Sequence, residues 1–125
     1  MYKVWSDSKK NRLYIVLGGI ISAHETQALK AVVVTEIEKL KAGFDIINDV
    51  SRLQMGPPKA ISEIKRVMQY IEHKNVGTVY RIMGSLSAGA VHLNRAALGT
   101  VKYKVKIASS IEKADKLLDM GEEPV

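Results

Sequence analysis

The run Leu13–Leu17 (LYIVL) constrains the fold of this chain more than any other segment. Five apolar residues in succession, closed by Gly18-Gly19, predict a short strand that is buried on both faces. Ser22 and Glu25 follow at the spacing of a capping box, and we expect them to begin a helix that Gly43 ends. A buried strand that leads directly into a helix indicates an α/β fold with a mostly parallel sheet.

The rest of the chain continues this alternation of strands and helices. Residues 2–8 predict a first strand, antiparallel to the second because only a tight turn separates them. Further strands are predicted at 44–50, 78–83 and 101–107, and further helices after Gly56-Pro57-Pro58, Ser85 and Ser110. The predicted order is β-β-α-β-α-β-α-β-α, a mixed, mostly parallel five-stranded sheet with about four helices. We expect one domain over residues 1–120 and a frayed tail at 121–125.

The composition excludes several classes of protein. With 125 residues, 46% of them hydrophobic, the chain can bury one packed core. It contains no cysteine, which excludes a disulfide scaffold, a thiolate metal site and a cysteine nucleophile. The first residues lack the apolar core of a signal peptide, and no apolar run is long enough to span a bilayer. We therefore expect a cytoplasmic protein.

Three segments carry a family resemblance through their order and spacing. They are LYIVLGG at 13–19, the long helix that leads to Lys41-Ala-Gly43, and Phe44–Ser51 (FDIINDVS), in which an aspartate precedes a small apolar-polar pair. Together they resemble the STAS domain, which anti-sigma factor antagonists share with the tails of sulfate transporters. The resemblance covers nearly the whole chain. It implies a STAS-like fold and a regulatory module that acts through protein contacts.

The chain departs from the family at the position of its phosphate switch. In phosphorylatable antagonists the loop after this strand continues to an Asp-Ser-Ser-Gly-like motif, and the Asp-Ser pair falls here on Pro57-Pro58. Proline has no hydroxyl, so neither residue can accept a phosphate. Ser51 and Ser62 are the nearby hydroxyls, and both are better explained as loop and early-helix residues. The resemblance is therefore to the divergent, stand-alone bacterial branch of the family.

Candidate contact residues gather near the carboxyl ends of the predicted strands, where open α/β folds bind ligands. They are Asp49, Ser51, Met55, Pro57, Pro58, Gly84, Ser85, Ser87, His92 and Arg95. Asp49 lacks an acid or base partner, and capping of the following loop is the simpler interpretation. The turn from Gly84 to Gly89 has two interpretations, an anion cradle of backbone N–H groups or a plain helix cap. His92 and Arg95 share one face of the predicted helix beside it.

No catalytic or metal-binding pattern stands out in the sequence. Ser62 and Lys65 have the serine-x-x-lysine spacing of penicillin-binding enzymes, but the partner motifs of that chemistry are absent. The three histidines lack the spacing of metal ligands. We therefore expect no cofactor, no metal and no enzymatic activity.

The chain has a formal net charge of +6. The distribution of its lysines favours protection of a sheet edge against aggregation over nucleic-acid binding. Lys102, Lys104 and Lys106 project from one side of the last predicted strand, whereas Tyr103, the only aromatic there, points to the other. Stacking aromatics normally accompany the cations of a single-strand binder, and lysines commonly protect a sheet edge. Tyr2 and Trp5 on the first strand either cover one end of the sheet or form a dimer contact.

Two functions remain open at this point. The first is a non-enzymatic module that binds a regulatory protein or a second copy of itself, through Asp49–Pro58 and the start of the next helix. The second is a binder or sensor of a small apolar or anionic ligand at the carboxyl ends of the strands. The related CRAL-TRIO lipid-binding domains share the general architecture, which keeps the second function open.

Overall fold

The computed structural model describes residues 1–54, 56–84 and 105–121. These residues form five strands and three helices: β1 (Tyr2–Asp7), β2 (Arg12–Gly19), α1 (Ala23–Ile37), β3 (Asp45–Leu53), α2 (Pro58–His73), β4 (Val79–Ile82), β5 (Val105–Ile107) and α3 (Ile111–Asp119). The helix predicted after Ser85 lies outside the described residues. The α/β class and the order of the described elements are confirmed.

All five strands belong to one sheet, in the order β1-β2-β3-β4-β5. β1 pairs antiparallel with β2, and the remaining neighbours pair parallel. Parallel neighbours require a crossover, and α1 and α2 provide the first two crossovers. The predicted mixed, mostly parallel sheet is therefore confirmed.

The sheet has two faces with separate cores. On the first, side chains of β2, β3 and β4 pack against α1 and α2. The buried residues of this core include Leu13, Ile15, Leu17, Leu29, Val33, Ile46, Ile64, Val67, Met68, Ile71 and Val79. On the second face, a smaller core forms under α3 from Tyr14, Ile47, Tyr80, Ile82, Ala108 and Ala114. We call these the α1/α2 face and the α3 face.

The predicted capping box at α1 is present. The Ser22 side chain accepts a hydrogen bond from the Glu25 backbone N–H, and the Glu25 carboxylate accepts one from the Ser22 N–H. The predicted end of this helix is wrong, because α1 ends at Ile37 rather than near Gly43. The Asn11 side chain explains the early end: it binds both the N–H and the carbonyl of Lys41, which draws the chain out of the helix.

One strand prediction also needs correction. β3 continues to Leu53 rather than ending at Val50, so Ser51 lies within a strand and not in a loop. In β5, the side chain of Ile107 is 60% exposed. Ile107 lies at the end of β5, and in the described part of the sheet this strand pairs with β4 alone. Lys102 and Lys104 lie outside the described residues.

Candidate functional site

A β-bulge near the end of β3 shapes the site. Between the pairs Val16–Asp49 and Gly18–Arg52, β2 advances by two residues and β3 by three. One extra residue in β3 reverses the inward and outward alternation of the strand. Leu53 therefore packs into the core of the α1/α2 face, and Arg52 lines the α3 face together with Asp49 and Ser51.

Local hydrogen bonds hold the bulge. The Asp49 carboxylate oxygen Oδ1 accepts the Ser51 backbone N–H at 3.0 Å and the Ser51 hydroxyl at 2.6 Å. Both are bonds between a carboxylate and a residue two positions on, as in an Asx turn. Asp49 thus acts as a local cap, which agrees with the simpler interpretation of this residue.

Gly84 lies against Ser51, so the structure brings two candidate residues of distant segments together. Gly84 has a φ of +63°, and a Cβ atom there would approach the Ser51 Cβ to 3.1 Å. Glycine suits both the left-handed backbone and the close approach. The carboxyl ends of β3 and β4 therefore meet at this point.

The two prolines begin α2. Pro57 is the N-cap residue and makes no side-chain capping bond, and Pro58 is the first helical residue. The predicted helix start is confirmed. The preceding Gly56 is so close to the carbonyl oxygen of Ile21 that a Cβ atom there would lie 2.9 Å from it. The N-terminus of α2 is therefore held against the segment that leads into α1.

Five other candidate residues do not belong to the described part of the chain. Met55, Ser85, Ser87, His92 and Arg95 lie outside the described residues, and so does most of the turn from Gly84 to Gly89. Among the residues that the structure describes, no group of three histidine or acidic side chains could hold a metal ion. Within the same part of the chain, no helix is both long and apolar enough to cross a membrane.

An open concavity of about 400 Å³ lies on the α3 face beside the bulge. Its walls include Lys3 and Trp5 of β1, Ser51 and Arg52 of β3, and Ile111 at the start of α3. The Trp5 ring stacks on Tyr14 with centroids 4.9 Å apart, and the Lys3 ammonium lies 5.1 Å from the Trp5 centroid. Sequence reasoning missed both Lys3 and Arg52. Arg52 reaches this concavity through the bulge, and the bulge depends on how β3 pairs with β2.

A polar network fixes α3 to the sheet. Asp115 Oδ1 accepts hydrogen bonds from the Arg12 guanidinium at 2.6 Å and from the Tyr14 hydroxyl at 2.7 Å. Arg12 is 4% exposed and also binds Asp119 at 3.0 Å. Burial, followed by the bond to Asp115, raises the pKa of Tyr14 to about 12. Arg12 and then Lys10 lower the pKa of Asp119 through hydrogen bonds.

The α1/α2 face also holds two buried polar side chains, Asn48 and Arg81. They are register partners on β3 and β4, and they are 9% and 1% exposed. Both line a core cavity of about 30 Å³, which is enough for a single water molecule. The cavity is too small for an organic ligand, so we assign these residues to the core.

No family model matches the chain, and no curated protein matches it in sequence. Solved structures do match it. One is the anti-sigma factor antagonist SpoIIAA in its unphosphorylated form, with a TM-score of 0.63 and 14% identity, covering 97% of each chain. Another is SpoIIAA, the Bacillus cell fate determinant, in its phosphorylated form, with a TM-score of 0.59 and 18% identity, covering 94% of this chain and 99% of that one.

These similarities define the class of the fold. The five-stranded mixed sheet with helices on both faces is a STAS-like fold, similar to that of anti-sigma factor antagonists. The predicted resemblance is therefore confirmed at the level of the fold.

Proposed function

We propose that this chain is a non-enzymatic regulatory module. It binds a partner protein through the end of the sheet at which the inner strands β2 and β3 finish. The proposed contact surface, which we call the edge surface, consists of Ile20, Gln54, Pro57, Pro58 and Lys59. It joins the end of β2, the end of β3 and the start of α2. The exposed apolar side chain of Ile20 is the observation that carries the proposal, since it is 62% exposed.

Two backbone contacts connect the segments of the edge surface. The Gln54 N–H donates to the Gly19 carbonyl at 3.0 Å, and Gly56 lies against the Ile21 carbonyl. Ile20 lies between these two contacts in sequence, so its segment lies beside the prolines at the start of α2. Gln54, Pro57, Pro58 and Lys59 are all exposed. A prearranged surface with apolar groups loses little conformational freedom when a partner binds.

The similar structures suggest a class of partner. Because similar structures belong to an anti-sigma factor antagonist, we propose an anti-sigma factor as the partner, and the cytoplasm as the place of action. Regulation would operate without a phosphoserine at the start of α2, since residues 57 and 58 are both proline. Of the nearby hydroxyls, Ser51 donates to Asp49, and Ser62 lies within α2. A second copy of the chain is the alternative partner.

Site-specific photocrosslinking tests this proposal. A benzophenone amino acid replaces Lys59 on the edge surface in the full chain, expressed in the source cells. The matched control replaces Lys39, an exposed lysine just beyond the end of α1. We expect one protein to crosslink at 59 and not at 39. Its binding, measured with purified components by calorimetry, should weaken about tenfold in Ile20→Ser, which corresponds to the loss of one buried aliphatic contact.

Three outcomes are informative. A crosslinked anti-sigma factor whose affinity falls in Ile20→Ser supports the proposal. A crosslinked second copy of the chain supports the self-association alternative instead. Equal crosslinking at 59 and 39, or an affinity that Ile20→Ser leaves unchanged, contradicts the edge surface as the contact.

A further inference from the structure

The concavity on the α3 face is separate from the protein-contact proposal and has the composition of a ligand site. Its volume of about 400 Å³ lies in the range of small-molecule pockets. Val16 and Ile111 provide apolar wall, and Trp5 provides an aromatic one. Pockets that bind small molecules combine such walls with a few fixed polar groups, and here those groups are mainly cationic.

Two cations face this space. Lys3 and Arg52 are both exposed and both line the concavity. In the described part of the chain, neither forms an ion pair with a carboxylate, whereas Arg12, Lys10, Lys39 and Arg66 do. Among the described residues of the wall, the one acidic side chain is Asp49, which already accepts two hydrogen bonds from Ser51 on one oxygen. The concavity therefore has a surplus of positive charge.

The bulge in β3 is the reason that Arg52 belongs to this site. With regular alternation from Asp49, Arg52 would point to the α1/α2 face and Leu53 to the α3 face. The extra residue reverses both, which buries Leu53 and places the guanidinium in the concavity. Bulges of this kind re-aim side chains next to functional sites. The local bonds between Asp49 and Ser51 hold the arrangement.

We propose that this concavity binds a small organic anion, a carboxylate or a phosphate monoester carried on an apolar body. The anionic group contacts Lys3 and Arg52, because a guanidinium binds both anions through paired N–H donors. The apolar body contacts Val16, Ile111 and the edge of Trp5. Coulomb attraction is screened at this open site, so binding weakens as the salt concentration rises.

The intrinsic fluorescence of Trp5 reports directly on this site, since the chain contains one tryptophan. The full chain is titrated with phenyl phosphate and, separately, with sodium benzoate, to distinguish the two anion types. Benzyl alcohol serves as the neutral probe and inorganic phosphate as the anion without an apolar body. We expect a saturable fluorescence change with one or both organic anions, and at least about tenfold weaker binding of the two control probes.

Paired variants separate the site from general charge effects. Lys3→Gln/Arg52→Gln removes both proposed contacts and should weaken binding about tenfold or more. Lys30→Gln/Lys65→Gln removes the same charge from exposed positions on α1 and α2 and should leave the affinity unchanged. Circular dichroism verifies that both variants fold. A non-saturable response, equal binding of benzyl alcohol, or equal loss in both variants would overturn the proposal.

Discussion

The two faces of the sheet are built on different principles. The α1/α2 face is covered by two helices of 15 and 16 residues and buries a large, almost entirely aliphatic core. In the described residues the α3 face is covered by one helix of nine residues over a smaller core. It adds stacked aromatics and the Arg12–Tyr14–Asp115 network. Among the described residues, the α1/α2 face has the larger apolar core, with Asn48 and Arg81 buried within it, and the α3 face combines a smaller core with the ion-paired network.

This difference has a functional consequence. Among the described residues, α3 covers only part of the α3 face, and the concavity beside Trp5 lies next to it. The α1/α2 face leaves a core cavity that holds no more than a water molecule. In the described structure, room for a ligand thus exists on the face where the apolar core is smaller.

The largest effect is expected from truncation of the larger core. Leu13 is completely buried, and Leu13→Ala should reduce the free energy of unfolding by about 3 kcal/mol. Leu117 in α3 is half-buried, and Leu117→Ala should cost about 1 kcal/mol. Urea unfolding followed by circular dichroism measures both. Equal losses would contradict the unequal contribution of the two faces.

The next effect concerns the polar network. Asp115→Ala removes the acceptor of Tyr14 and the closer of the two carboxylates on buried Arg12, so it should cost about 2 kcal/mol. The control is Glu112→Ala, an exposed acidic residue of the same helix, which should change stability by less than about 0.5 kcal/mol. If the two variants unfold at the same urea concentration, the network does not anchor α3.

The raised pKa of Tyr14 predicts a dependence on alkaline pH. The folded state keeps this proton up to about pH 12, whereas the unfolded chain loses it near 10.0. The resulting stabilisation is complete below pH 10 and is lost as the pH rises towards 12. Urea unfolding at pH 9, 10 and 11 should show a steeper loss for the native chain than for Tyr14→Phe. Parallel pH profiles would show that this hydroxyl titrates normally.

The smallest of these effects tests the bulge. Ser51→Ala removes the hydroxyl bond to Asp49 and keeps the backbone bond, and we expect a loss of about 1 kcal/mol. Ser62→Ala, at an exposed position within α2, provides the control and should be neutral or slightly stabilising. Thermal unfolding of the two variants distinguishes them. Equal melting temperatures would mean that the hydroxyl bond does not support the bulge.

Local chemistry predicted much of the fold. The strand at Leu13–Leu17, the capping box from Ser22 to Glu25 and the proline start of α2 all depend on neighbouring residues, and all are observed. The predicted end of α1 was wrong because the side chain of Asn11, which is distant in sequence, binds Lys41. The predicted end of β3 was wrong because pairing with β2 extends the strand through the bulge to Leu53.

The candidate site was only partly predictable for the same reason. Asp49, Ser51 and the two prolines could be chosen as candidates because they lie at or just after the end of a predicted strand. Arg52 reaches the α3 face only through a register shift with β2, and the sequence shows no sign of that shift. Trp5 was noticed as an aromatic on the first strand, but its stack on Tyr14 requires the observed hairpin register.

We propose above all that the chain binds its partner without a phosphate switch at the start of α2. The direct measurement compares the chain before and after incubation with cell extract and ATP, by intact mass and by calorimetric affinity for the crosslinked partner. We expect an unchanged mass, no phosphopeptide containing Ser51 or Ser62, and an unchanged affinity. A gain of one phosphate with an affinity loss of about tenfold or more would contradict the claim.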